Sequence, residues 1–407
     1  MKVLYAAFDL VPAPKGAGRH IEAFTRALVA AGHEVTLFTV GLPTMPAKET
    51  WAGARLLRAS LPAGNFLRRA LYFGDAVWEH LRQQGVSGGY DVVHFRDIWS
   101  GDAALEARRR FGYRYRTLFE ANGLPSVELK YHYPALADSD LPARLRAQEQ
   151  AILREVEAVV CVSAVTAIFV QSLGAPPQAV TVIPNGVDPA LFRPAEGPPD
   201  QPPRLVYAGT LAAWQGIATA LEAMPFILAA FPETTLHLIG PAKSRHQKGL
   251  VKRAAKLGLG EDTVRFVGPV EPGKMPARLQ AASVCLAPLP YNDRNVTQGC
   301  CPIKVLEYAA VGRPIVAADL PVVRELLAEG AARFFRPGDA ADLARQTIHL
   351  LTHPQEAQAM ARRAAEQVRG TFTWQRAGEQ LLAVYERLAT TSPPGTGPTS
   401  STALAPA

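Results

Sequence analysis

Short apolar runs alternate with helical patterns along this chain, and the alternation occurs twice. In the first half, six runs have the length and composition of buried strands, at 3–7, 34–39, 91–95, 116–119, 158–162 and 180–183. Helical patterns lie between several of them, at 19–31, 141–155 and 164–173. Strands that alternate with helices in this way form parallel sheets covered on both faces. Residues 1–192 are therefore predicted to form a Rossmann-like α/β domain.

The second half repeats the pattern after a segment that can continue neither element. That segment, RPAEGPPDQPP at 193–203, is predicted to be a linker. Further strands are predicted at 205–207, 235–239, 264–267, 284–287, 314–317 and 333–335, with helices such as 216–230 and 274–281. The domains 1–192 and 204–371 would leave a cleft, and such sheets bind ligands beyond the carboxyl ends of their strands. The low-complexity tail, 390–407, is predicted to be disordered.

Composition narrows the class of protein. The 407 residues are 48% hydrophobic and 19% charged, enough for two ordinary cores. The four cysteines lack Cys-x-x-Cys spacing, which favours reduced cytosolic thiols over disulfides or a zinc site. The histidines and carboxylates show no metal-ligand spacing, so no metal is expected. Because a strand is predicted from residue 3 and no apolar run reaches membrane length, we expect a cytoplasmic protein.

The net charge of +7 is modest, but arginines cluster in two places. Arg68 and Arg69 open an amphipathic stretch, 66–81, and five more arginines lie between 108 and 116. A basic amphipathic surface can bind anionic lipid, so a peripheral position on the inner face of a membrane is one interpretation. A solvated arginine-rich face is the other. Nucleic acid is not an expected partner because no stacking-platform motif accompanies the charge.

One segment, 298–320, indicates a nucleotide site. In QGCCPIKVLEYAAVGRPIVAADL a helix is predicted to begin at Pro302, because proline has no N–H to leave unpaired at the first helical position. The free amides of that helix start, with Lys304 one turn in, form a seat for phosphate. Glu307 is a candidate acceptor for the hydroxyls of a ribose. The alternative is an ordinary buried helix with a solvated Lys and Glu.

Loops that follow predicted strands supply candidate cleft residues. The first such loop is too long for the GxGxxG fingerprint, but its glycines allow a ligand to approach the backbone; a plain flexible loop is the alternative. The segment 124–134 is predicted to be a long loop whose Tyr131, His132 and Tyr133 form an acceptor wall or pack on the domain surface. The candidate cleft and acceptor residues are Gly16, Ala17, Gly18, Arg19, Asp97, Glu120 and Asn122.

Several segments resemble the family 4 retaining glycosyltransferases, which have the GT-B fold, and they occur in that family's order. They are the Gly-rich loop with Arg19 followed by GHEVTLFT (32–39), DVVHFRD (91–97), VIPNGVD (182–188), YAGTL (207–211) continuing to Gln215 and Gly216, LHLIG (236–240), VRFVGPV (264–270) and PIKVLEYAAVGRPIVA (302–317). The FTW at 372–374 and the helix predicted after it, up to 389, resemble the family's final helix, which packs back on the first domain.

This resemblance implies transfer of a sugar from a nucleotide-diphosphate sugar to a carbohydrate, lipid-linked or small-molecule acceptor. It also implies retention at the anomeric carbon, without a metal or other cofactor. The first domain would hold the acceptor and the second the nucleotide. Lys304 and the helix-start amides would stabilise the leaving diphosphate, and Glu307 would bind ribose. The residues implied for the donor are Gly209, Thr210, Gln215, Gly216, Val270, Cys300, Cys301, Ile303, Lys304 and Glu307.

Four positions depart from the family pattern. Thr210 and Gln215 stand where many members have Arg and Lys, which leaves Lys304 as the best-placed cation. Gly299 replaces the first of two glutamates, so the amides of 299–301 or the side chain of Asn295 would hold the sugar.

The fourth departure is at the position where many members have a histidine that contacts the transferred sugar. Asn122 stands there, and it cannot titrate. A divergent active subfamily, an inactive or partner-dependent member, a non-catalytic nucleotide-sugar-binding subunit and a GT-B nucleotide-sugar 2-epimerase remain the alternatives.

Overall fold

The first domain is built on a sheet of eight strands. A computed structural model of the protein describes residues 1–13, 16–62, 64–84, 89–197, 199 and 201–390. The strands are β1 (Lys2–Leu10), β2 (Glu34–Gly41), β3 (Lys48–Trp51), β4 (Ala54–Ser60), β5 (Val92–Phe95), β6 (Arg116–Ala121), β7 (Ala158–Cys161) and β8 (Val180–Val182). Their order is β3-β4-β2-β1-β5-β6-β7-β8, and only the β3–β4 pair is antiparallel. That pair is an edge hairpin, which was not predicted from the sequence. Its turn is formed by Ala52 and Gly53, both of which have positive φ.

Six helices cover this sheet on its two faces. They are α1 (Gly16–Ala30), α2 (Phe66–Arg82), α3 (Ile98–Phe111), α4 (Pro125–His132), α5 (Leu141–Glu155) and α6 (Ala164–Ser172). One core lies between the sheet and α2, α3 and α5, and the other between the sheet and α1. Strands buried on both faces account for the nearly continuous apolar runs read from the sequence.

The second domain has a six-stranded, wholly parallel sheet in the order β11-β10-β9-β12-β13-β14. Its strands are β9 (Arg204–Ala208), β10 (Thr235–Ile239), β11 (Val264–Gly268), β12 (Val284–Ala287), β13 (Ile315–Ala318) and β14 (Arg333–Phe335). Its helices are α7 (Ile217–Ala230), α8 (Ser244–Lys256), α9 (Met275–Gln280), α10 (Ile303–Ala310), α11 (Pro321–Arg324), α12 (Ala340–Thr352) and α13 (Pro354–Thr371). The α/β architecture with two parallel sheets is the one predicted.

The last described helix, α14 (Trp374–Thr390), returns to the first domain. Its Leu381, Val384 and Tyr385 are buried in the same core as Phe24 and Leu28 of α1. A parallel bridge between Val187 and Thr373 joins the segment before α14 to the end of the first domain. The chain therefore crosses between the domains twice.

Three predicted boundaries are wrong, each for a local reason. The segment 124–134 is mostly helix α4 and not a loop, because Pro125 begins a helix that its aromatic residues do not reveal. Helix α1 begins at Gly16, so residues 16–19 form a first helical turn. Pro302 is the N-cap of α10, which begins at Ile303.

The predicted disordered tail, 390–407, is wrong at its first residue, because Thr390 belongs to α14. The rest of that tail, 391–407, lies outside the described residues. Within the described part of the chain, no helix combines the length and the apolar character needed to cross a membrane. The four cysteines, Cys161, Cys285, Cys300 and Cys301, are free thiols.

Candidate active site

Lys304 lies in the first turn of α10, facing the loop that follows β9. Its Nζ donates to the Tyr207 hydroxyl at 2.9 Å, contacts Gln215 Oε1 and lies 4.4 Å from the centre of the Tyr207 ring. Burial lowers the pKa of Lys304 to about 7. Among the described residues it has no ion-pair partner, so no carboxylate neutralises its charge.

Two glycines bring the backbone of that loop close to Lys304. A Cβ at Gly209 would lie 3.1 Å from Lys304 Cε, and at Gly216 it would overlap the Pro288 carbonyl oxygen. Both glycines have positive φ, which other residues rarely adopt. The Thr210 side chain is exposed, and its carbonyl accepts a 2.9 Å hydrogen bond from Tyr207. The structure therefore brings 209–216 and the start of α10 together, as the sequence reading expects.

Tyr308 holds α10 against the end of β9. Its hydroxyl accepts a 2.6 Å hydrogen bond from Ala208 N and donates to Ala208 O at 3.2 Å. Farther along the cleft, Val270 is half-buried after β11 and packs on the second-domain core. The start of α10 is thus fixed relative to the strand ends, as a ligand site requires.

The amino end of α1 lies directly on the start of α10. A Cβ at Gly16 would lie 3.1 Å from Ile303 Cδ1, and Arg19 Nη1 contacts Glu307 Oε1 across the domains. Burial raises the pKa of Glu307, although Arg19 and Lys304 act in the opposite direction. The proposed ribose acceptor is thus already paired with the first domain.

The other members of that first turn are placed by packing. Ala17 is half-buried and Gly18 is buried, and a Cβ at Gly18 would lie 2.5 Å from the Ala13 carbonyl oxygen. Gly18 therefore permits the close approach of the 11–13 segment to α1.

Glu120, at the end of β6, is fully buried among five polar side chains. Its carboxylate accepts a 2.7 Å hydrogen bond from Tyr5 and a bond from Asn122 Nδ2, and lies 3.0 Å from Arg96 Nη1. Two histidines complete the cluster: His20 Nε2 lies 2.8 Å and His94 Nε2 3.2 Å from it, without regular hydrogen-bond alignment. Burial tends to raise the pKa of Glu120, but Arg96 and His20 outweigh it, so the pKa stays well below its usual range.

A chain of polar contacts leads from this cluster to the second domain. His20 Nδ1 lies 2.6 Å from Asn185 Oδ1, and Asn185 Nδ2 donates to the Cys301 carbonyl at 2.9 Å. Neither His20 nor Asn185 was predicted to be a site residue, although each lies in or beside a segment that resembles the family. Their role depends on contacts between residues more than a hundred positions apart, which no local pattern reveals.

Comparison with known proteins decides the family. The family model described as Glycosyltransferase Family 4 matches residues 14–191, and the model described as Glycosyl transferases group 1 matches residues 202–353. The chain belongs to the family 4 glycosyltransferases. It has their GT-B fold, and its enzyme class is that of a glycosyltransferase.

This glycosyltransferase is similar to the glycogen synthase of Mycobacterium tuberculosis (strain ATCC 25618 / H37Rv), at 27% identity over 410 residues, covering 95% of this chain and 94% of the relative. Among solved structures it resembles sucrose-phosphate synthase from Thermosynechococcus elongatus, with TM-score 0.79, 23% identity and coverage of 96% and 100%. It also resembles Anabaena HepE in complex with UDP-glucose, with TM-score 0.71, 17% identity and the same coverage.

Gly299 of this glycosyltransferase lies against the first domain. It has φ +82°, and a Cβ there would lie 2.7 Å from both Thr166 N and Thr166 Oγ1, at the start of α6. A glutamate side chain therefore has no room at this position in the structure. The glycine that departs from the family pattern is therefore the residue that allows this close contact between the domains.

Asn295 and Asp97 have structural partners, which corrects their expected roles. Asn295 is fully buried. Its Nδ2 donates a hydrogen bond to the Pro290 carbonyl at 2.8 Å and its Oδ1 accepts one from Arg294, so its side chain is not free to hold a sugar. Asp97 is the N-cap of α3 and also accepts from Phe8 N at 3.0 Å. Burial raises the pKa of Asp97 to about 6.

The two cysteines before α10 contribute through their backbone and packing. Cys301 is buried, and burial raises the pKa of its thiol to about 12. Burial also raises the pKa of Cys300, whose Sγ lies 3.8 Å from Asn295 Oδ1. Both side chains are neutral thiols, so the candidate anion-binding groups here are the backbone amides and Lys304.

Helix α4 joins the second domain through a set of ion pairs that the sequence reading missed. Glu128 pairs with Arg294 at 2.9 Å and accepts from Gln298 at 2.9 Å, while Lys130 pairs with Asp293 at 2.5 Å. The pKa of Glu128 is lowered to about 2, because His132 and Arg294 outweigh its burial. These contacts hold the cleft closed on the α4 side.

The aromatic residues of α4 meet the second domain as well. The His132 ring lies 4.8 Å and the Tyr131 ring 6.2 Å from the ring of Trp214, which precedes Gln215. Tyr133 packs instead beside Phe66 at 6.0 Å. The expected acceptor wall is thus divided between the domain contact and the surface of α2.

A cavity of about 1320 Å³ opens on the other side of the Arg19–Glu307 pair. It is bounded by Gly18, Arg19 and Glu307 and extends to Asp188 and Trp374. Lys304 does not line it, because the amino end of α1 covers the start of α10. The open space therefore adjoins the proposed ribose position and not the phosphate seat.

Proposed function

We propose that this enzyme transfers a sugar from a nucleoside-diphosphate sugar to a carbohydrate or lipid-linked acceptor, with retention at the anomeric carbon. The observation that carries the proposal is the half-buried Lys304 ammonium beside the Gly209 backbone, free of any described carboxylate partner. A fixed cation at a helix start suits a diphosphate. HepE, a structural relative, is described in complex with UDP-glucose, which supports this donor class.

Leaving-group stabilisation is the proposed role of Lys304. As the bond from the anomeric carbon to the diphosphate breaks, its electron pair stays on phosphate and the negative charge there grows. An ammonium and aligned amides that are already in place stabilise this charge more than the ground state. The acceptor hydroxyl forms the new bond on the face that the diphosphate leaves, and its proton passes to the leaving phosphate. No metal enters this scheme.

Glu307 and Arg19 are proposed to exchange partners when the donor binds. The Arg19 guanidinium already contacts the Glu307 carboxylate, so ribose hydroxyls must displace it before they can donate to that carboxylate. The displaced Arg19 then remains near the diphosphate as a second cation, in a protein where Thr210 and Gln215 carry no charge. We propose that separation of α1 from α10 accompanies this exchange.

Asn122 is proposed to position the transferred sugar. Its Nδ2 is bonded to Glu120, which leaves Oδ1 to accept from a sugar hydroxyl. The ionised Glu120 fixes this orientation, and Arg96 balances its charge. The role is therefore that of an oriented acceptor and not of an acid or base.

Helix α2 offers a surface for a lipid-linked acceptor. Leu71 is 61% exposed and Tyr72 39% exposed, next to Arg68 and Arg69. Apolar side chains flanked by arginines suit an anionic interface. Binding to vesicles of anionic phospholipid, compared with neutral ones, measures this part of the proposal; a Leu71→Asp variant should bind less.

The test of the function is release of nucleoside diphosphate from a panel of nucleotide sugars, with sugar and lipid-linked acceptors. We expect release with at least one donor, an α-linked product from an α-linked donor, and loss of at least a hundredfold in kcat for Lys304→Ala. Lys252→Ala, which removes an exposed lysine of α8, is the matched control. Full activity of Lys304→Ala contradicts the mechanism. Donor binding without any turnover favours the binding-subunit alternative.

A further inference from the structure

We propose that His349, His353 and Glu356 form a binding site for a divalent transition metal, with Zn²⁺ as the preferred class, at the corner between α12 and α13. One ligand atom from each of the three side chains lies within 4.8 Å of the others. The proposal departs from the sequence-based expectation that the histidines show no metal-ligand spacing.

The corner places the three side chains on one side of the chain. His349 lies in the last turn of α12, His353 separates the two helices, and Glu356 lies in the first turn of α13. Pro354 at the first position of α13 fixes the turn between them. Because two helix ends hold the ligands, their spacing is set by regular backbone.

One of the two histidines already makes a contact that is typical of metal-binding histidines. His353 Nδ1 lies 2.9 Å from the His349 carbonyl oxygen, to which it can donate, and this leaves the Nε2 lone pair for a metal. A ring N–H bonded to a backbone carbonyl is the common outer contact of metal-binding histidines. His349 Nε2 lies 2.9 Å from Glu356 Oε2, and the two rings stack at 4.4 Å.

A metal ion requires only a small further contraction. Ligand atoms around tetrahedral zinc lie about 3.4 Å apart, given bonds of about 2.0–2.1 Å. His353 and Glu356 are exposed, so rotation of their side chains can close the remaining gap. A water molecule would take the fourth position.

Ligand chemistry selects the class of ion. Two imidazoles with one carboxylate suit Zn²⁺, Co²⁺, Ni²⁺ or Cu²⁺, whereas Mg²⁺ and Ca²⁺ prefer oxygen ligands. Arg333 opposes the ion, because its Nη1 lies 3.7 Å from Glu356 Oε1 while its Nε donates to Gln346 at 2.8 Å. We therefore expect moderate affinity, and a gain of several-fold in Arg333→Gln.

The site would stabilise the second domain and not take part in sugar transfer. The ion would join the end of α12 to the beginning of α13, two helices of the second domain. None of the three ligands belongs to the proposed donor site. Metal binding and sugar transfer can thus fail or succeed independently.

The test uses the full chain without an affinity tag, freed of metal by chelation. Titration with Co²⁺ is followed by visible absorption and titration with Zn²⁺ by calorimetry, with Mg²⁺ for comparison. We expect one Zn²⁺ per chain, no Mg²⁺ binding, a tetrahedral Co²⁺ spectrum, and a rise of a few degrees in Tm at saturating Zn²⁺.

Variants separate this site from adventitious binding. His349→Gln, His353→Gln and Glu356→Gln should each weaken Zn²⁺ binding at least tenfold and abolish the rise in Tm, while their Tm under chelation stays that of the parent. His246→Gln, which alters a histidine of α8 outside the group, should bind normally. Unchanged binding in the His349→Gln/His353→Gln double variant, or no stoichiometric binding by the parent, overturns the proposal.

Discussion

Arg19 of α1 contacts Glu307 of α10, so one ion pair joins the two domains at the position proposed for the donor ribose. The Arg19 side chain is partly exposed and that of Glu307 is largely buried. Removal of the arginine would leave a buried carboxylate without its paired counter-charge, which is costly. The pair therefore links closure of the cleft to occupancy of the nucleotide site.

A double-mutant cycle measures this link. For Arg19→Ala, Glu307→Ala and the double variant, we expect a coupling free energy of about 1–2 kcal/mol in the ligand-free protein, from chemical denaturation. Saturating nucleoside diphosphate should reduce that coupling to near zero, because ribose replaces Arg19. Coupling that is unchanged by nucleotide contradicts the exchange. The Arg26–Glu22 pair of α1, which is exposed, provides the control cycle.

Donor affinity should fall as the pH rises through 7. Burial places the pKa of Lys304 at about 7, so the ligand-free protein loses this positive charge above that pH. Bound diphosphate favours the ammonium form, which means that binding takes up a proton. Calorimetry with a nucleotide sugar, whose phosphates do not titrate in this range, should show about tenfold weaker binding at pH 8 than at pH 6. Lys304→Met should bind weakly at both pH values.

Gly299 should resist substitution. Any side chain there would collide with Thr166, and the backbone at this position has a positive φ that residues other than glycine disfavour. We expect Gly299→Ala to lower the free energy of unfolding by about 1–3 kcal/mol, and Gly299→Glu to lower it further while separating the domains. Gly249→Ala, in α8 with no atom near its Cβ, should be neutral or stabilising by comparison. Equal stability of the two alanine variants would show that the close contact is absent in solution.

The part of the candidate site that lies in the second domain could be predicted because its signals are local. Pro302 marks a helix start, and Lys304 and Glu307 follow at helical spacing within one segment. The alternation of strands and helices likewise predicts the sheets, since buried strands must be apolar wherever they lie in the order.

The remainder depends on how the domains meet. Arg19 reaches a carboxylate 288 residues away, and Asn295 is fully buried, with its amide group bonded to the Pro290 carbonyl. Helix α4 was missed because its eight residues carry no clear apolar periodicity, although Val127 and Leu129 are buried in the first-domain core. Side-chain partners of this kind follow from tertiary packing, which overrides local propensity.

Glu120 should be the residue whose charge matters most to stability. Its carboxylate is fully buried and neutralises Arg96, so Glu120→Gln leaves a buried guanidinium with only the partly exposed carboxylate of Asp9, 3.9 Å away, as a counter-ion. We expect a loss of about 3–5 kcal/mol in the free energy of unfolding at pH 7. Glu106→Gln, on the exposed face of α3, should change it by less than about 0.5 kcal/mol.

The same cluster predicts lability in acid. The pKa of His94 is lowered by burial, so below about 6.5 the unfolded chain binds a proton that the folded protein excludes, and stability falls. The pKa of Glu120 is also lowered, so its contribution is present above its usual range and is lost as the pH falls below that range. Denaturation of the parent protein and of His94→Gln from pH 7.5 to 4 should show that the parent loses more stability than the variant between pH 6.5 and 5. Protonation of Asp97, whose raised pKa acts in the opposite direction, affects both proteins alike. An equal pH dependence of the two proteins would mean that His94 is not buried in neutral form beside Glu120.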